Sequence, residues 1–271
     1  MSDRILIKFP ESIDFSDFMC YNAKDMEKIY TFTKEFDVRY TDVDYEDRLK
    51  PSSVLSAFLE VACDNADNLG FGYDDLRPKN YGFLVSNIYF EVEEPVDLFD
   101  KRILTETWPL APGRVLFFRD YRIHVGNKVK IKGSSRWCLY DLSEDRILPS
   151  SALDNQDYAK YRTDHCVEAV WKIPVVKEGE PVYTMKVGLA DHDHYRHVNN
   201  TKYADYIFSC FTMQEWSNCN LKSFGINFIK QCREGDTISF YRSDADGATL
   251  VSGYVGDECV VAARLIFTER V

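Results

Sequence analysis

The sequence predicts an α+β protein in which one unit, a long helix wrapped by an antiparallel β-sheet, occurs twice in tandem. Three observations carry that expectation. A segment alternating apolar and polar residues leads through a polar turn into a stretch with helical apolar spacing. The whole arrangement returns 149 residues later without insertion or deletion, as an internal duplication would leave it. Behind each predicted helix stand four alternating segments broken by short turns, three of them glycine pairs, the mark of antiparallel hairpins.

Taken in order, residues 1–30 read as an N-terminal extension with a short strand candidate at 5–9. Phe36, Val38 and Tyr40 then alternate with Asp37, Arg39 and Thr41, as in a strand with one buried face. After a polar turn, a helix is predicted with Val54, Leu55, Phe58, Leu59, Ala62 and Ala66 on one side and Gly70 as its stop. Strands are predicted at 83–92, 102–108, 115–124 and 129–139, the last two joined at Gly126-Asn127. In the second copy Met185, Val187 and Leu189 take the places of Phe36, Val38 and Tyr40. Asp191 and Asp193 stand for Asp42 and Asp44, Val198 for Leu49, and Tyr203 and Ile207 for Val54 and Phe58. Strands follow at 224–232, 237–242, 249–255 and 259–268, with turns at Asp246-Gly247 and Gly256-Asp257 and a break at Gly235-Asp236. The expected division is 1–165 (extension, first unit and a connector helix region) and 166–271 (linker and second unit).

Composition narrows the class. An apolar fraction of 45% allows a sizeable core, and 18 Phe with 17 Tyr suit a sheet packed on helices or an apolar ligand slot. The net charge of −11 argues against a nucleic-acid surface and against adhesion to anionic lipid. No window reaches membrane-spanning length, and no cleavable apolar leader begins the chain. Eight cysteines without CxxC spacing read as reduced thiols, not as a disulfide frame or zinc site. A cytoplasmic protein without metal or cofactor is expected.

Chemistry is concentrated in Asp191-His192-Asp193-His194-Tyr195-Arg196-His197-Val198-Asn199-Asn200, which holds three of the five histidines. A helix is predicted to begin there with Asn199 or Asn200 as N-cap. Backbone N–H groups at a helix start can hold a carbonyl oxygen that is gaining negative charge. Acid, imidazole and amide groups in one turn fit a hydrolase site, and they also fit an ordinary solvated turn.

The order and spacing of several motifs resemble those of the acyl-acyl carrier protein (acyl-ACP) thioesterases. In the first half these are Asp44 with Arg48-Leu49-Lys50, Asn68-Leu69-Gly70, Glu106-Thr107-Trp108-Pro109, and Ser134-Ser135-Arg136-Trp137 before Asp141. In the second they are Asp193, His197-Val198-Asn199-Asn200 with Tyr203, and Gln231-Cys232 followed by Gly235-Asp236. The likeness runs from about residue 33 onward. It implies two tandem hotdog folds with their sheets side by side, and hydrolysis of a fatty acyl thioester on acyl carrier protein to a free fatty acid. The family's site has an Asp at the strand end, an Asn two residues on and a His two further, with a Glu-Cys pair on the strand after the helix. Asp193, His197 and Cys232 match, whereas Tyr195 stands at the Asn position and Gln231 at the Glu position.

Gln231 can orient a water but not deprotonate it. Asp193 is therefore expected to polarise His197 or to act as the base itself, with helix N–H groups near Asn199 and Asn200 at the carbonyl. Tyr195 supplies a phenol hydrogen bond or fills space, and Cys232 is a strand thiol before it is a nucleophile. The first copy has Arg48 at the position of His197, which cannot serve as a base, so the reaction is assigned to the second copy. Phe58, with Phe71, Phe83, Tyr89 and Phe90, is expected to line an acyl slot or to be plain core. Arg114, Arg119, Arg122, Lys128, Lys130, Lys132 and Arg136, against a single Asp120, are expected to dock the acidic carrier or to form a solvated strand face. An acyl-CoA thioesterase and a non-catalytic acyl-binding protein are the alternative readings, and a homodimer beyond the internal pairing stays open.

Overall fold

The computed structural model describes residues 30–153 and 156–270; the strand candidate at 5–9 lies outside them. The first half runs β1 (Phe32–Asp37), α1 (Pro51–Leu69), α2 (Tyr73–Leu76), β2 (Tyr81–Val92), β3 (Arg102–Leu110), β4 (Leu116–Val125), β5 (Lys128–Asp141) and a short β6 (Arg146–Ile147). The second runs β7 (Tyr183–Lys186), α3 (Asn200–Phe208), α4 (Met213–Ser217), β8 (Cys219–Phe228), β9 (Thr237–Ala245), β10 (Ala248–Val255) and β11 (Glu258–Glu269).

The eleven strands of the described residues join one large antiparallel sheet in the order β1-β3-β4-β5-β2-β8-β11-β10-β9-β7, with β6 paired to β5. Each half contributes the same path of strands, and the two paths meet back to back where β2 pairs with β8, from Asn87–Asn227 to Glu91–Ser223. At that seam Asn87 Nδ2 donates to Asn227 Oδ1 at 2.6 Å. The hairpins form where glycine permits them: Gly126, Gly247 and Gly256 all have positive φ.

Pro51 at the start and Gly70 beyond the end delimit α1, with Gly70 at φ 78° and the Phe71 N–H returning to Ala66 O at 3.0 Å. Its buried stripe, Val54, Leu55, Phe58, Val61 and Ala62, faces the sheet.

Four expectations need correction. The alternation at Tyr40 and Leu189 is not strand: β1 ends at Asp37 and β7 at Lys186, and both residues protrude into solvent at 85% and 82% exposure. The chain leaves the sheet at Val38 and Val187, whose N–H groups bond Lys101 O and Asp236 O outside the ladders. The second helix is not long. It stops at Phe208, where Ser209 Oγ bonds back to Asp205 O, and Thr212 with Glu215 then caps a new helix in a new direction. β8 ends at Phe228 because the Ile229 and Lys230 N–H groups both turn onto Val260 O, so Gln231 and Cys232 lie beyond the strand. Finally, the connector carries single 3-10 turns at Ser150–Ala152 and Tyr158–Lys160 and no α-helix among its described residues.

Candidate active site

Each copy folds the same turn from a different sequence. In the second, the Asp193 N–H donates to His197 O at 2.8 Å, and Asp193 Oδ1 accepts from the N–H groups of Tyr195 (2.9 Å) and His197 (3.1 Å). In the first, the Asp44 N–H donates to Arg48 O at 2.8 Å, and Asp44 Oδ1 accepts from Glu46 (2.8 Å) and Arg48 (3.0 Å). Arg196 and Asp47 take the left-handed position of each turn, at φ 64° and 58°. Both turns are closed by a bridge, His192 to Val198 and Val43 to Leu49. A carboxylate that accepts two main-chain N–H groups shapes such a turn, which accounts for an aspartate in both copies. The copies diverge at the residue four positions on.

In the second copy, His197 Nδ1 lies 3.1 Å from Gln231 Nε2. An amide nitrogen only donates, so Nδ1 accepts and the neutral ring carries its proton on Nε2. Burial pushes the His197 pKa below its ordinary value, opposed by the charge of Asp193 and assisted by His192. Among the described residues no hydrogen bond joins the Asp193 carboxylate to the imidazole; the expected polarising contact is replaced by attraction through space, and Asp193 Oδ2 has no hydrogen-bond partner. The reason is geometric: Oδ1 is turned inward onto the loop's own backbone.

The remaining members fall into place around this pair. Asn199 is the N-cap of α3, its Oδ1 accepting from the Thr201 N–H at 2.9 Å and hydroxyl at 2.8 Å. Its own N–H is taken by Asp191 O. That leaves the N–H of Asn200, the first helical residue, as the donor available at this helix start among the described residues. Tyr195 packs between the turn and the first half, with ring contacts to Tyr73 on α2 (5.8 Å) and His194 (4.0 Å), and burial pushes its phenol up to about 12. Cys232 is buried and burial raises its thiol pKa, as for a packed thiol and not a nucleophile. His192 Nδ1 is 2.9 Å from Gly188 O and pins the loop, Gly188 N–H meets Asp191 Oδ2 at 2.8 Å, and Glu234 is exposed.

Two results for this site can be anticipated. Replacing Asn199 by alanine removes a side-chain cap and is expected to cost about 1 kcal/mol in a denaturant titration. The lowered His197 pKa also makes stability pH-dependent. Between the unfolded imidazole value of about 6.5 and the lower folded value, the unfolded chain binds a proton that the folded chain refuses. Stability attributable to His197 therefore falls as pH drops through that window. The Tm difference between wild type and His197→Gln, followed from pH 8 to about pH 5, should narrow on acidification. A constant difference would sink this account.

The first copy's turn is closed to chemistry. Arg48 donates from Nη1 to Cys219 O (2.9 Å) and from Nη2 to Trp216 O (3.3 Å), and its Nε lies 3.4 Å from Asp44 Oδ2. It also lies on the Trp216 ring at 4.8 Å, while Trp216 Nε1 donates to Asp44 Oδ2 at 2.6 Å. These contacts clamp the first half's turn onto α4 and β8 of the second.

In the first half, a cavity of about 80 Å³ lies between α1 and the sheet. Phe71 and Phe83 line it, together with Cys63, Ala66, Phe117 and Trp137. Phe58, Tyr89 and Phe90 do not. Phe58 is fully buried, stacked on Tyr121 at 4.2 Å over Gly133, where even an added Cβ would come within 2.4 Å of its ring. It is core, not lining. The second copy's turn meets β2 of the first half at Gly82, the residue before Phe83: a Cβ there would stand 3.9 Å from the Tyr195 hydroxyl. Tyr73 and Gly82, which meet Tyr195 from the first half, carry no motif in the sequence; only the fold brings them in.

The basic run is not a free positive surface. Lys128 pairs with Glu94, Lys130 with Asp100 at 2.7 Å, Lys132 with Glu93 at 2.8 Å and Arg122 with Glu106 at 3.4 Å. Arg119 is buried, and Arg136 stacks on Trp171 at 4.3 Å. Among the described residues no cluster of three or more His, Cys, Asp or Glu side chains is placed to hold a metal, and no helix is long and apolar enough to cross a membrane.

The fold is thus a large antiparallel sheet with few helices, with Asp193 and His197 in a turn of its second half. Residues 29–151 match the family model of the acyl-ACP thioesterase N-terminal domain and residues 177–256 that of the C-terminal domain. The chain belongs to the acyl-ACP thioesterase family. It is similar to oleoyl-acyl carrier protein thioesterase 2, chloroplastic, of Arabidopsis thaliana, at 20% identity over 85% of this chain and 68% of that protein. Its fold superposes on an acyl-ACP thioesterase from Bacteroides thetaiotaomicron with a TM-score of 0.80, at 22% identity over 88% of this chain and 98% of that one. The 12:0-ACP thioesterase from Umbellularia californica gives a TM-score of 0.79, at 16% identity over 89% and 98%.

Proposed function

We propose that the chain hydrolyses a fatty acyl thioester carried on acyl carrier protein and frees the fatty acid, working as two tandem hotdog folds divided near residues 165 and 166. The second fold supplies the reacting groups and the first the acyl slot. The observation that carries this reading is that the turn holding Asp193 and His197, with Gln231 on the imidazole, meets the half that contains the aromatic cavity, through Tyr195 against Tyr73 and Gly82. Asp193 Oδ2 takes a proton from water as the water oxygen attacks the thioester carbon. The oxyanion accepts from His197 Nε2–H and the Asn200 N–H. The thiolate then leaves with little need of an acid, because a thiol is a far stronger acid than an alcohol. Gln231 holds the imidazole in the tautomer that this role requires. Acidic composition and free thiols at all seven described cysteines fit a reducing, cytoplasmic setting.

Two departures favour a second reading, that of an acyl-binding protein: Gln231 and Tyr195 stand where the family resemblance implies Glu and Asn. Purified protein assayed on acyl-ACP and acyl-CoA of matched chain length separates the cases. Faster turnover of acyl-ACP supports the proposal, and faster acyl-CoA turnover reassigns the carrier. Binding without turnover, relieved by Gln231→Glu, would establish the binder.

A further inference from the structure

A buried guanidinium lines the cavity of the first half, paired with no carboxylate among the described residues. Arg119, on β4, is 6% exposed. Its Nη1 donates to Asn65 Oδ1 at 2.7 Å and Thr107 Oγ1 at 3.2 Å, both neutral acceptors. Those two bonds use the hydrogens of Nη1, and the Nε–Nη2 edge holds three more. Among the described residues no acceptor meets that edge. The neighbouring acid is engaged elsewhere: Asp120 Oδ1 lies 3.1 Å from His165 Nδ1, and Oδ2 accepts from the Cys166 N–H at 2.6 Å. Other walls of the cavity are hydrocarbon and aromatic, among them Ala62, Ala66, Phe83, Phe117 and Leu153.

An aliphatic chain gains nothing from a desolvated cation, whereas a carboxylate gains both charge and two parallel hydrogen bonds from the flat Nε–Nη2 edge. On the reading of this cavity as the acyl slot, we propose that Arg119, braced by Asn65 and Thr107, is a subsite for a carboxylate carried on an aliphatic chain. Two sources present that chemistry: an acyl thioester with a carboxylate at its far end, or a free fatty acid that enters carboxylate first and occupies the slot. In the first case Arg119 sets substrate specificity; in the second it makes the product an inhibitor.

The test uses the full chain as wild type, Arg119→Met and Arg119→Lys. One arm compares kcat/KM for ω-carboxy and unsubstituted acyl-ACP of equal length. The other compares the Tm shift given by a free fatty acid with that of its methyl ester. If the substrate is the source, wild type prefers the ω-carboxy thioester by about tenfold or more, and the preference collapses in Arg119→Met. If the product is the source, wild type shows no such preference, but the acid raises Tm more than its ester does, and Arg119→Met loses the difference. The idea is overturned if neither the kcat/KM ratio nor the acid-minus-ester shift changes between wild type and Arg119→Met. Should Arg119→Met fail to fold, Arg119→Lys, which keeps the charge but loses the fork, is expected to lower the same ratio or shift in part, and an unchanged value in it overturns the idea. Absence of hydrolysis of every thioester would defeat the hydrolase reading alone, because the Tm arm still reports on the subsite.

Discussion

Replacing His197 by alanine is expected to lower kcat about 10²–10³-fold while leaving KM within a few-fold. The expectation follows from the tautomer. With Nδ1 accepting from Gln231, the ring offers Nε2–H, a donor whose bond strengthens as the thioester oxygen takes up charge. A bond stronger in the transition state than in the ground state appears in kcat. His197→Asn returns a side-chain N–H to the same region and should recover part of the loss. Gln231→Glu acts in the opposite sense: a carboxylate accepts the Nδ1 proton, raises the imidazole pKa and turns Nε2 into a base. That variant should gain an acid limb in its pH–rate profile from His197 titration. Turnover of His197→Ala near that of wild type would remove the imidazole from the mechanism. Arg48→His offers the counterpart, because Trp216 fills the first copy's turn and keeps its bond to Asp44 Oδ2 without the arginine. No second active centre is expected from it.

The parts of this molecule readable from sequence are those fixed by local chemistry. The period of α1 and its Gly70 stop, the hairpin glycines and the Asn199 cap each depend on a few neighbouring residues. The duplication was readable for a stronger reason, since an offset without indels preserves the hydrogen bonds of both Asp turns atom for atom. Errors arose where tertiary partners decide. Tyr40 and Leu189 continue an alternation that the chain abandons once Val38 and Val187 bond outside the ladder. Gln231 and Cys232 continue an apolar-patterned run, yet the backbone has already turned onto Val260 O. The lysines of β5 look like a positive patch until Glu93, Glu94 and Asp100, distant in sequence, arrive beside them. The cavity was only half legible for the same reason. Alternation tells which face of a strand is apolar, but not whether the opposite element fills the space or leaves it open.

Phe58 tests that distinction, and its removal should give the largest loss of stability. The ring is fully buried, parallel to Tyr121 at 10° and edge-on to Phe90 at 6.4 Å. Gly133 beneath it makes room: with any side chain there the ring would have to move. Phe58→Ala leaves a hole that the rigid sheet behind it cannot close, so a cost of about 3–5 kcal/mol is expected, a fall in Tm of roughly 10 °C. Because Phe58 lies in the core and outside the wall formed by Phe71, Phe83 and Phe117, the preference among acyl chain lengths should stay where it was. Were Phe58 instead part of the slot, alanine would lengthen the slot and shift the profile toward longer chains with little change in Tm. Measuring unfolding and product profile on the same preparation separates the two outcomes, because core loss moves only the first and slot enlargement mainly the second.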